Sequence, residues 1–313
     1  MVIARERPSC ASRVPESLYP FASRWHDRGD GVAMHYLDEG PREAPPVVMV
    51  HGNPSWSFYF RALVVALRRD HRCLVPDHVG CGFSDKPGDD RYRYTLASRV
   101  DDLEGWLDAM GATKDVTLVV HDWGGMIGFA AAVRRPERIA RIVILNTAAF
   151  HMPARKRLPG TLKLTRTRLG EALVLRLNAF SRGAARLAVE KRLPSDVERA
   201  LTAPYDSPEN RVATLRFVQD IPLAAGDPAY DLVTATQERL HVLSDRPILV
   251  CWGGKDFVFD DHFLAEWRRI YPKAELEYYG GAGHYVLEDE ADAITARVRR
   301  FLAEHALTPA GVA

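Results

Sequence analysis

The chain of 313 residues is 47% hydrophobic and 27% charged, a composition that allows a globular protein to bury a full core. Its 42 lysines and arginines balance 41 aspartates and glutamates, and this net charge of +1 excludes a general electrostatic affinity for nucleic acid. Because the N-terminus has no apolar core like that of a signal peptide, and no segment reaches 18 apolar residues, we expect a cytoplasmic protein without a transmembrane segment.

The first twenty residues are predicted to form an arm, since Pro8, Pro15 and Pro20 interrupt any periodicity. From there to Phe150, short apolar runs alternate with amphipathic stretches of helical period. Strands are predicted at 31–37, 47–50, 73–76, 116–120, 142–145, 247–252 and 276–279. Helices are predicted at 56–67, 95–110, 262–270 and 290–306, with a further one after residue 123 that ends near residue 136.

Alternation of strands and helices favours a parallel sheet with helices on both faces. Residues 151–222 break this alternation, because only helical patterns occur there. We therefore expect a core made of residues 1–150 and 223–313, with residues 151–222 forming a helical cap.

Four cysteines are present, and no two of them have C-x-x-C spacing. Three of the four lie in or beside apolar runs. We expect all four to be buried free thiols and not a disulfide framework or a zinc site: Cys10, Cys73, Cys81 and Cys251.

The stretch Val116–Gly128, VTLVVHDWGGMIG, has the layout of a nucleophile elbow, in which a strand turns sharply into a helix at one reactive side chain. Asp122 occupies the nucleophile position of the usual G-x-S-x-G pattern. Gly124 follows two residues later, where any side chain would strike a strand. The alternative is an ordinary strand-to-helix turn in which Asp122 caps the helix.

Polar residues also follow other predicted strands, and open α/β sheets bind ligands at the carboxyl ends of their strands. Asn53, Asp256 and His284 lie at such positions. The chain order Asp122, Asp256, His284 is that of the α/β-hydrolase triad of nucleophile, acid and histidine. Taken singly, Asp256 could be a helix cap and His284 a surface residue. Asn146, which ends the strand after the elbow, is not ionisable, so Asp256 is the better candidate for the acid.

A carboxylate is already ionised at pH 7, so it needs no base to become a nucleophile. It can attack an sp³ carbon and form an alkyl ester. His284, oriented by Asp256, is then available to activate water or to transfer protons. Asp122 at the elbow therefore argues against ordinary esterase or lipase chemistry.

Three motifs resemble the α/β-hydrolase family that contains the haloalkane dehalogenases: HGNPSWSFYFR (51–61), DHVGCGFSDKP (77–87) and VVHDWGG (119–125). The resemblance covers about residues 30 to 303. It implies an α/β-hydrolase fold with a mostly parallel eight-stranded sheet, helices on both faces and a helical cap insertion. It also implies that Asn53 and Trp123 hold the departing anion, for which an indole N–H and a carboxamide are suited. The alternative for Trp123 is a role as core filler.

Further motifs resemble the β-lactone decarboxylases of bacterial long-chain olefin biosynthesis: NTAAF (146–150), LNAFSRGA (177–184), APYDSPENR (203–211), FVQDIPL (217–223) and GHYVLEDE (283–290). This resemblance implies that a cis-β-lactone with two long alkyl chains loses CO₂ to give an internal alkene. It implies no metal or organic cofactor. Haloalkane dehalogenation is the second hypothesis, because a pocket that binds a carboxylate also suits a halide.

Two other functions receive less support. Epoxide hydrolases need two cap tyrosines, and residues 151–222 contain only Tyr205. A catalytically inactive ligand receptor is disfavoured by the intact Asp–Asp–His set, although an intact triad does not prove turnover.

Residues 151–200 hold 12 basic and 4 acidic residues. This excess of positive charge indicates either a solvated helical face or a docking surface. A docking surface here would bind partner enzymes of an olefin-synthesis assembly or a membrane. Apolar residues interleaved there could line an alkyl channel or pack the cap onto the core: Leu169, Leu173, Leu177, Phe180, Leu187 and Val189.

Overall fold

A computed structural model describes residues 2–307. Nine strands form one sheet: β1 (Val2–Ile3), β2 (Arg24–Asp27), β3 (Ala33–Glu39), β4 (Pro46–Val50), β5 (Arg72–Pro76), β6 (Val116–Asp122), β7 (Ile139–Thr147), β8 (Ile248–Gly253) and β9 (Glu275–Tyr279). Their spatial order is β1-β2-β3-β5-β4-β6-β7-β8-β9. From β5 to β9 neighbouring strands run parallel, whereas β1, β2 and β3 join by antiparallel pairs.

The expected number of eight strands is wrong, because the described residues form nine. The short strand β1 lies inside the predicted N-terminal arm and pairs with β2. Cys10 and Tyr19 of the same segment are buried, so the segment is anchored to the core at these two residues, whereas its other residues are exposed or half-buried. The strand β2 was not predicted, since its sequence Arg-Trp-His-Asp is polar and too short to show alternation.

Twelve α-helices accompany the sheet in the described residues: α1 (Arg61–Leu67), α2 (Leu96–Ala109), α3 (Trp123–Arg134), α4 (Gly160–Thr165), α5 (Arg168–Leu177), α6 (Ala179–Leu187), α7 (Ser195–Thr202), α8 (Val212–Gln219), α9 (Tyr230–Arg239), α10 (Asp261–Ile270), α11 (Val286–Asp289) and α12 (Ala291–Glu304). Large apolar clusters cover both faces of the sheet. The strands β4, β6, β7 and β8 are buried almost throughout, which explains their continuous apolar sequences.

The helical insertion lies between β7 and β8 and contains α4 to α8, without a strand among its residues. The exact borders of the cap at residues 151 and 222 stay a prediction. All four cysteines are buried and free, as predicted. No helix within residues 2–307 is long and apolar enough to cross a membrane.

Candidate active site

The turn from β6 into α3 aims the side chain of Asp122 into a cavity. Asp122 has φ 51° and ψ −127°, a conformation that costs free energy for any residue other than glycine and is typical of functional turns. At Gly124 an added Cβ would lie 1.9 Å from the carbonyl oxygen of Val50 on β4. The tight turn therefore requires glycine at this position, as the sequence pattern predicts.

Each carboxylate oxygen of Asp122 faces a different partner. The main-chain N–H of Asn53 donates to Oδ1 at 2.6 Å, and Nε2 of His284 lies 3.4 Å from Oδ2. Burial alone would raise the pKa of Asp122, but its contacts with His284 and Asn53 outweigh burial and lower it. A Cβ at Gly52 would lie 2.1 Å from Oδ1, so glycine there lets the loop after β4 approach the carboxylate.

His284 and Asp256 form a buried pair beside Asp122. Nδ1 of His284 lies 2.8 Å from Oδ2 of Asp256, and the other oxygen of Asp256 accepts main-chain N–H groups from Val258 and Phe259. Burial disfavours the imidazolium ion, but the charges of Asp256 and Asp122 outweigh burial and raise the pKa of His284 to about 10. Because this pKa lies above 7, we expect His284 to be an imidazolium ion at neutral pH, between Asp122 and Asp256.

Asn146 also supports this pair, a role that its sequence position did not indicate. It is fully buried at the end of β7, and its Nδ2 donates to Oδ2 of Asp256 at 3.1 Å and to the carbonyl of Gly253 at 3.0 Å. Its Oδ1 accepts the N–H of Gly253 at 2.7 Å. The hydrogen bonds of the Asn146 side chain thus connect β7 to the loop that carries Asp256.

Asn53 and Trp123 flank the carboxylate of Asp122 and line the same cavity. Nδ2 of Asn53 donates one N–H to the carbonyl of Thr214 at 3.0 Å, which leaves its second N–H for a ligand. Within residues 2–307 the indole N–H of Trp123 donates no hydrogen bond, and the indole ring packs against Phe217. Two N–H donors are therefore available where an anion would meet Asp122.

The cavity above these residues has a volume of about 290 Å³ and is lined mainly by apolar side chains. The helices α4, α5 and α6 supply much of its wall, together with Phe150, Phe257 and Phe263. Of the cap residues singled out above, Leu173, Phe180 and Leu187 line it, although Leu187 is also largely exposed. Leu169 and Leu177 are largely exposed and do not line it, and Val189 packs in the core. The hydroxyl of Tyr205 points instead to the carbonyl of Ser55, so it does not supply the acid of an epoxide hydrolase.

No group of three histidine, cysteine, aspartate or glutamate residues in the described part of the chain is arranged to hold a metal ion.

The five residues predicted for the site come together at the carboxyl ends of the strands: Asn53, Asp122, Trp123, Asp256 and His284. The roles assigned to them stay predictions.

A family model described as the alpha/beta hydrolase fold matches residues 45–291. A Shewanella oneidensis protein named cis-3-alkyl-4-alkyloxetan-2-one decarboxylase is 50% identical over 291 residues, which cover 92% of this chain and 91% of that protein. A protein of the same name from Xanthomonas campestris pv. campestris is 48% identical over 295 residues, with 92% and 98% covered. Haloalkane dehalogenase 2 of Mycobacterium bovis is 32% identical, with 90% and 95% covered.

Solved structures give the same fold. A loop variant of a haloalkane dehalogenase from Bradyrhizobium elkanii superimposes with a TM-score of 0.81 at 27% identity, with 91% of this chain and 97% of that chain covered. A haloalkane dehalogenase from Agrobacterium tumefaciens also has a TM-score of 0.81, at 25% identity, with 93% and 100% covered. The chain belongs to the α/β-hydrolase family, which confirms the predicted fold class and the resemblance on which it was based.

Proposed function

We propose that this protein is a cis-β-lactone decarboxylase, which converts a cis-3,4-dialkyl-β-lactone into an internal alkene and CO₂. The observation that carries the proposal is the near full-length identity to two cis-3-alkyl-4-alkyloxetan-2-one decarboxylases, well above the identity to haloalkane dehalogenases. The apolar cavity at Asp122 is consistent with a substrate that carries two alkyl chains.

The first step opens the strained ring. One carboxylate oxygen of Asp122 attacks C4, the ring carbon that bears the ring oxygen, and the C4–O bond breaks. The electron pair of that bond leaves with the ring oxygen, so the former lactone carbonyl becomes a carboxylate on C3. The product is an alkyl ester of Asp122 that retains every atom of the lactone.

The second step releases both products without water. The carboxylate on C3 leaves as CO₂, the electrons of the C3–C2 bond form the C3=C4 double bond, and the ester bond to C4 breaks to regenerate the Asp122 carboxylate. Inversion at C4 in the first step and anti elimination in the second together convert a cis lactone into a cis alkene. No proton is gained or lost overall.

Each side chain has a defined task in this scheme. The free N–H of Asn53 and the indole N–H of Trp123 stabilise the carboxylate that forms in the first step. The imidazolium of His284, held by Asp256, stabilises the Asp122 carboxylate as it departs in the second. Proton transfer by His284 is not required.

Haloalkane dehalogenation is the second candidate, because the same two N–H donors suit a departing halide and Asp122 could attack a haloalkane carbon. In that reaction water must hydrolyse the alkyl ester, with His284 as the base, because ester formation removes the charge of Asp122 and so lowers the pKa of His284. The 32% identity to a haloalkane dehalogenase supports this candidate less strongly.

A paired assay on purified protein distinguishes β-lactone decarboxylation from haloalkane dehalogenation. One arm follows the alkene from a long-chain cis-β-lactone by gas chromatography, and the other follows bromide released from a set of bromoalkanes. We expect catalytic alkene formation without appreciable bromide release, and neither product from Asp122→Asn. Catalytic bromide release with an inert lactone would make the protein a dehalogenase and would overturn the proposal.

Partner enzymes of an olefin-synthesis assembly and a location in the cytoplasm stay predictions. A pull-down with enzymes that form β-lactones would test the first. The dialkyl β-lactone is the substrate that we propose, and the length of chain that the cavity accepts can be measured in the same alkene assay.

A further inference from the structure

Arg99, in the first turn of α2, is fully buried although it carries a charge. Its Nη1 donates to the carbonyl of Tyr94 at 2.9 Å and lies 3.8 Å from Oδ2 of Asp220. Within residues 2–307, its Nε and Nη2 have no hydrogen-bond partner. A buried guanidinium with unsatisfied N–H groups is costly for folding, which points to a role outside the stability of α2.

The guanidinium of Arg99 stacks on a residue that also touches the anion site. Its central carbon lies 3.6 Å from the ring centre of Phe217, a fully buried residue of α8. The Phe217 ring meets the Trp123 indole at a centre-to-centre distance of 5.3 Å and an angle of 60°. The distance from the central carbon of Arg99 to the centre of the indole is therefore at most the sum of these two distances, and both Arg99 and Phe217 are fully buried.

The helix α8 contacts the second anion donor as well. The carbonyl of Thr214 accepts from Nδ2 of Asn53 at 3.0 Å. At the other end of α8, Oδ2 of Asp220 accepts the main-chain N–H of Leu96, the first residue of α2, at 2.5 Å. The helix that orients Asn53 and Trp123 is thus held against α2 at Asp220 and Arg99.

We propose that Arg99 is a positioning residue for the anion site. By stacking on Phe217 and pairing with Asp220 it keeps α8 in the position that orients the Asn53 carboxamide and the Trp123 indole, and its charge favours anions bound between them. This inference rests on the proposed function of Asn53 and Trp123 as donors to the carboxylate. Neither Arg99 nor Phe217 lines the cavity, so neither touches the substrate.

The probe is bromide, titrated against the purified full chain and followed by tryptophan fluorescence, with Trp123→Phe as the reference for loss of the site. We expect Arg99→Met to raise the bromide dissociation constant about tenfold, and Arg99→Lys, which keeps the charge but loses the planar stack, to raise it less. With lactone, we expect kcat to fall while KM changes little, because the apolar cavity that binds the alkyl chains is untouched.

Arg141→Met is the matched control. Arg141 is also fully buried, and it bonds Thr117 and the carbonyls of Leu302 and His305, away from the catalytic ends of the strands. We expect this variant to lose stability without losing bromide affinity. Phe217→Leu provides a second test if Arg99→Met does not fold, since it removes the stacked ring and retains Arg99 and Asp220.

Two outcomes would overturn the inference, and only the second would also contradict the proposed anion site. If the wild type binds bromide and Arg99→Met and Phe217→Leu bind it equally well, Arg99 has no role in the anion site, while the proposed function is unaffected. If the wild type shows no saturable bromide binding, or Trp123→Phe binds as the wild type does, the proposed anion site itself is wrong and the role of Arg99 falls with it.

Discussion

The main-chain N–H of Asn53 donates a 2.6 Å hydrogen bond to Oδ1 of Asp122 and thereby fixes the orientation of that carboxylate. The other oxygen, Oδ2, faces the imidazolium of His284 at 3.4 Å. The lowered pKa of Asp122 favours the ionised carboxylate, which is held in one orientation before substrate binds, and this lowers the cost of reaching the geometry of the attack that we propose.

Replacing Asp122 by Asn preserves the shape of the side chain but removes the carboxylate that we propose as the nucleophile. We expect alkene formation to fall on the order of 10³-fold or more, because neither ester formation nor expulsion of a carboxylate can occur. Initial rates measured with a cis-β-lactone check this, and far-ultraviolet circular dichroism confirms that the variant is folded. Turnover close to that of the wild type would disprove the assignment of the nucleophile.

The raised pKa of His284 predicts a pH dependence of stability. The pKa is about 10 in the folded protein and about 6.5 for an unperturbed histidine, so the contribution of His284 to the free energy of unfolding is complete below about pH 6.5 and is lost as the pH rises through 10. Lysine, tyrosine and cysteine residues also titrate at high pH.

We therefore compare the wild type with His284→Gln in urea unfolding at several pH values. The difference between their free energies of unfolding should decrease as the pH rises from 8 to above 10. A difference that stays constant over this range would show that His284 is not an imidazolium ion in the free enzyme.

Asn146 should matter for catalysis although it touches neither Asp122 nor the cavity. Asn146→Leu keeps the approximate volume but removes the donors to Asp256 and Gly253 and the acceptor of the Gly253 N–H. We expect kcat to fall on the order of tenfold, since an unsatisfied buried polar group costs about 1–3 kcal/mol and the loop that carries Asp256 loses its support. A drop in melting temperature with unchanged kcat would limit Asn146 to a structural role.

Two glycines in helical segments should respond in opposite ways to alanine. Gly124→Ala places a Cβ 1.9 Å from a main-chain oxygen, and we expect a loss of roughly 1–3 kcal/mol in the free energy of unfolding together with loss of activity. Gly105 on α2 is exposed, with no atom within 4 Å of the added Cβ, so Gly105→Ala should gain roughly 0.5–1 kcal/mol. Chemical denaturation of both variants checks the contrast, and a stable, active Gly124→Ala would contradict the geometry of the turn.

The sequence predicts the sheet and the elbow well, because buried parallel strands are continuous apolar runs and the elbow is a local pattern of glycines around Asp122. The polar strand β2 carries no such signal. Only its pairing with β1 and β3 in the structure identifies it as a strand.

The roles of Asn146 and Arg99 were not predicted for a different reason. The sequence shows in Asn146 only a residue that cannot ionise, because its importance depends on contacts with a loop more than a hundred residues away. Arg99 looks like an ordinary charged residue of an amphipathic helix until α8 is placed over it. Contacts between distant segments of this kind leave no periodic pattern in a single sequence.

Water distinguishes the proposed reaction from hydrolysis. In the proposed route the Asp122 ester is broken by elimination, so no solvent oxygen enters the protein. In a dehalogenase-like route water attacks the ester carbonyl, which leaves solvent oxygen on Asp122 and a β-hydroxy acid as product.

The most direct measurement is therefore a multiple-turnover reaction of the protein with a cis-β-lactone in ¹⁸O-labelled water, followed by mass spectrometry of the product and of the peptide that contains Asp122. We predict a cis alkene and an unlabelled peptide. A β-hydroxy acid together with ¹⁸O in Asp122 would contradict decarboxylation by elimination from the Asp122 ester.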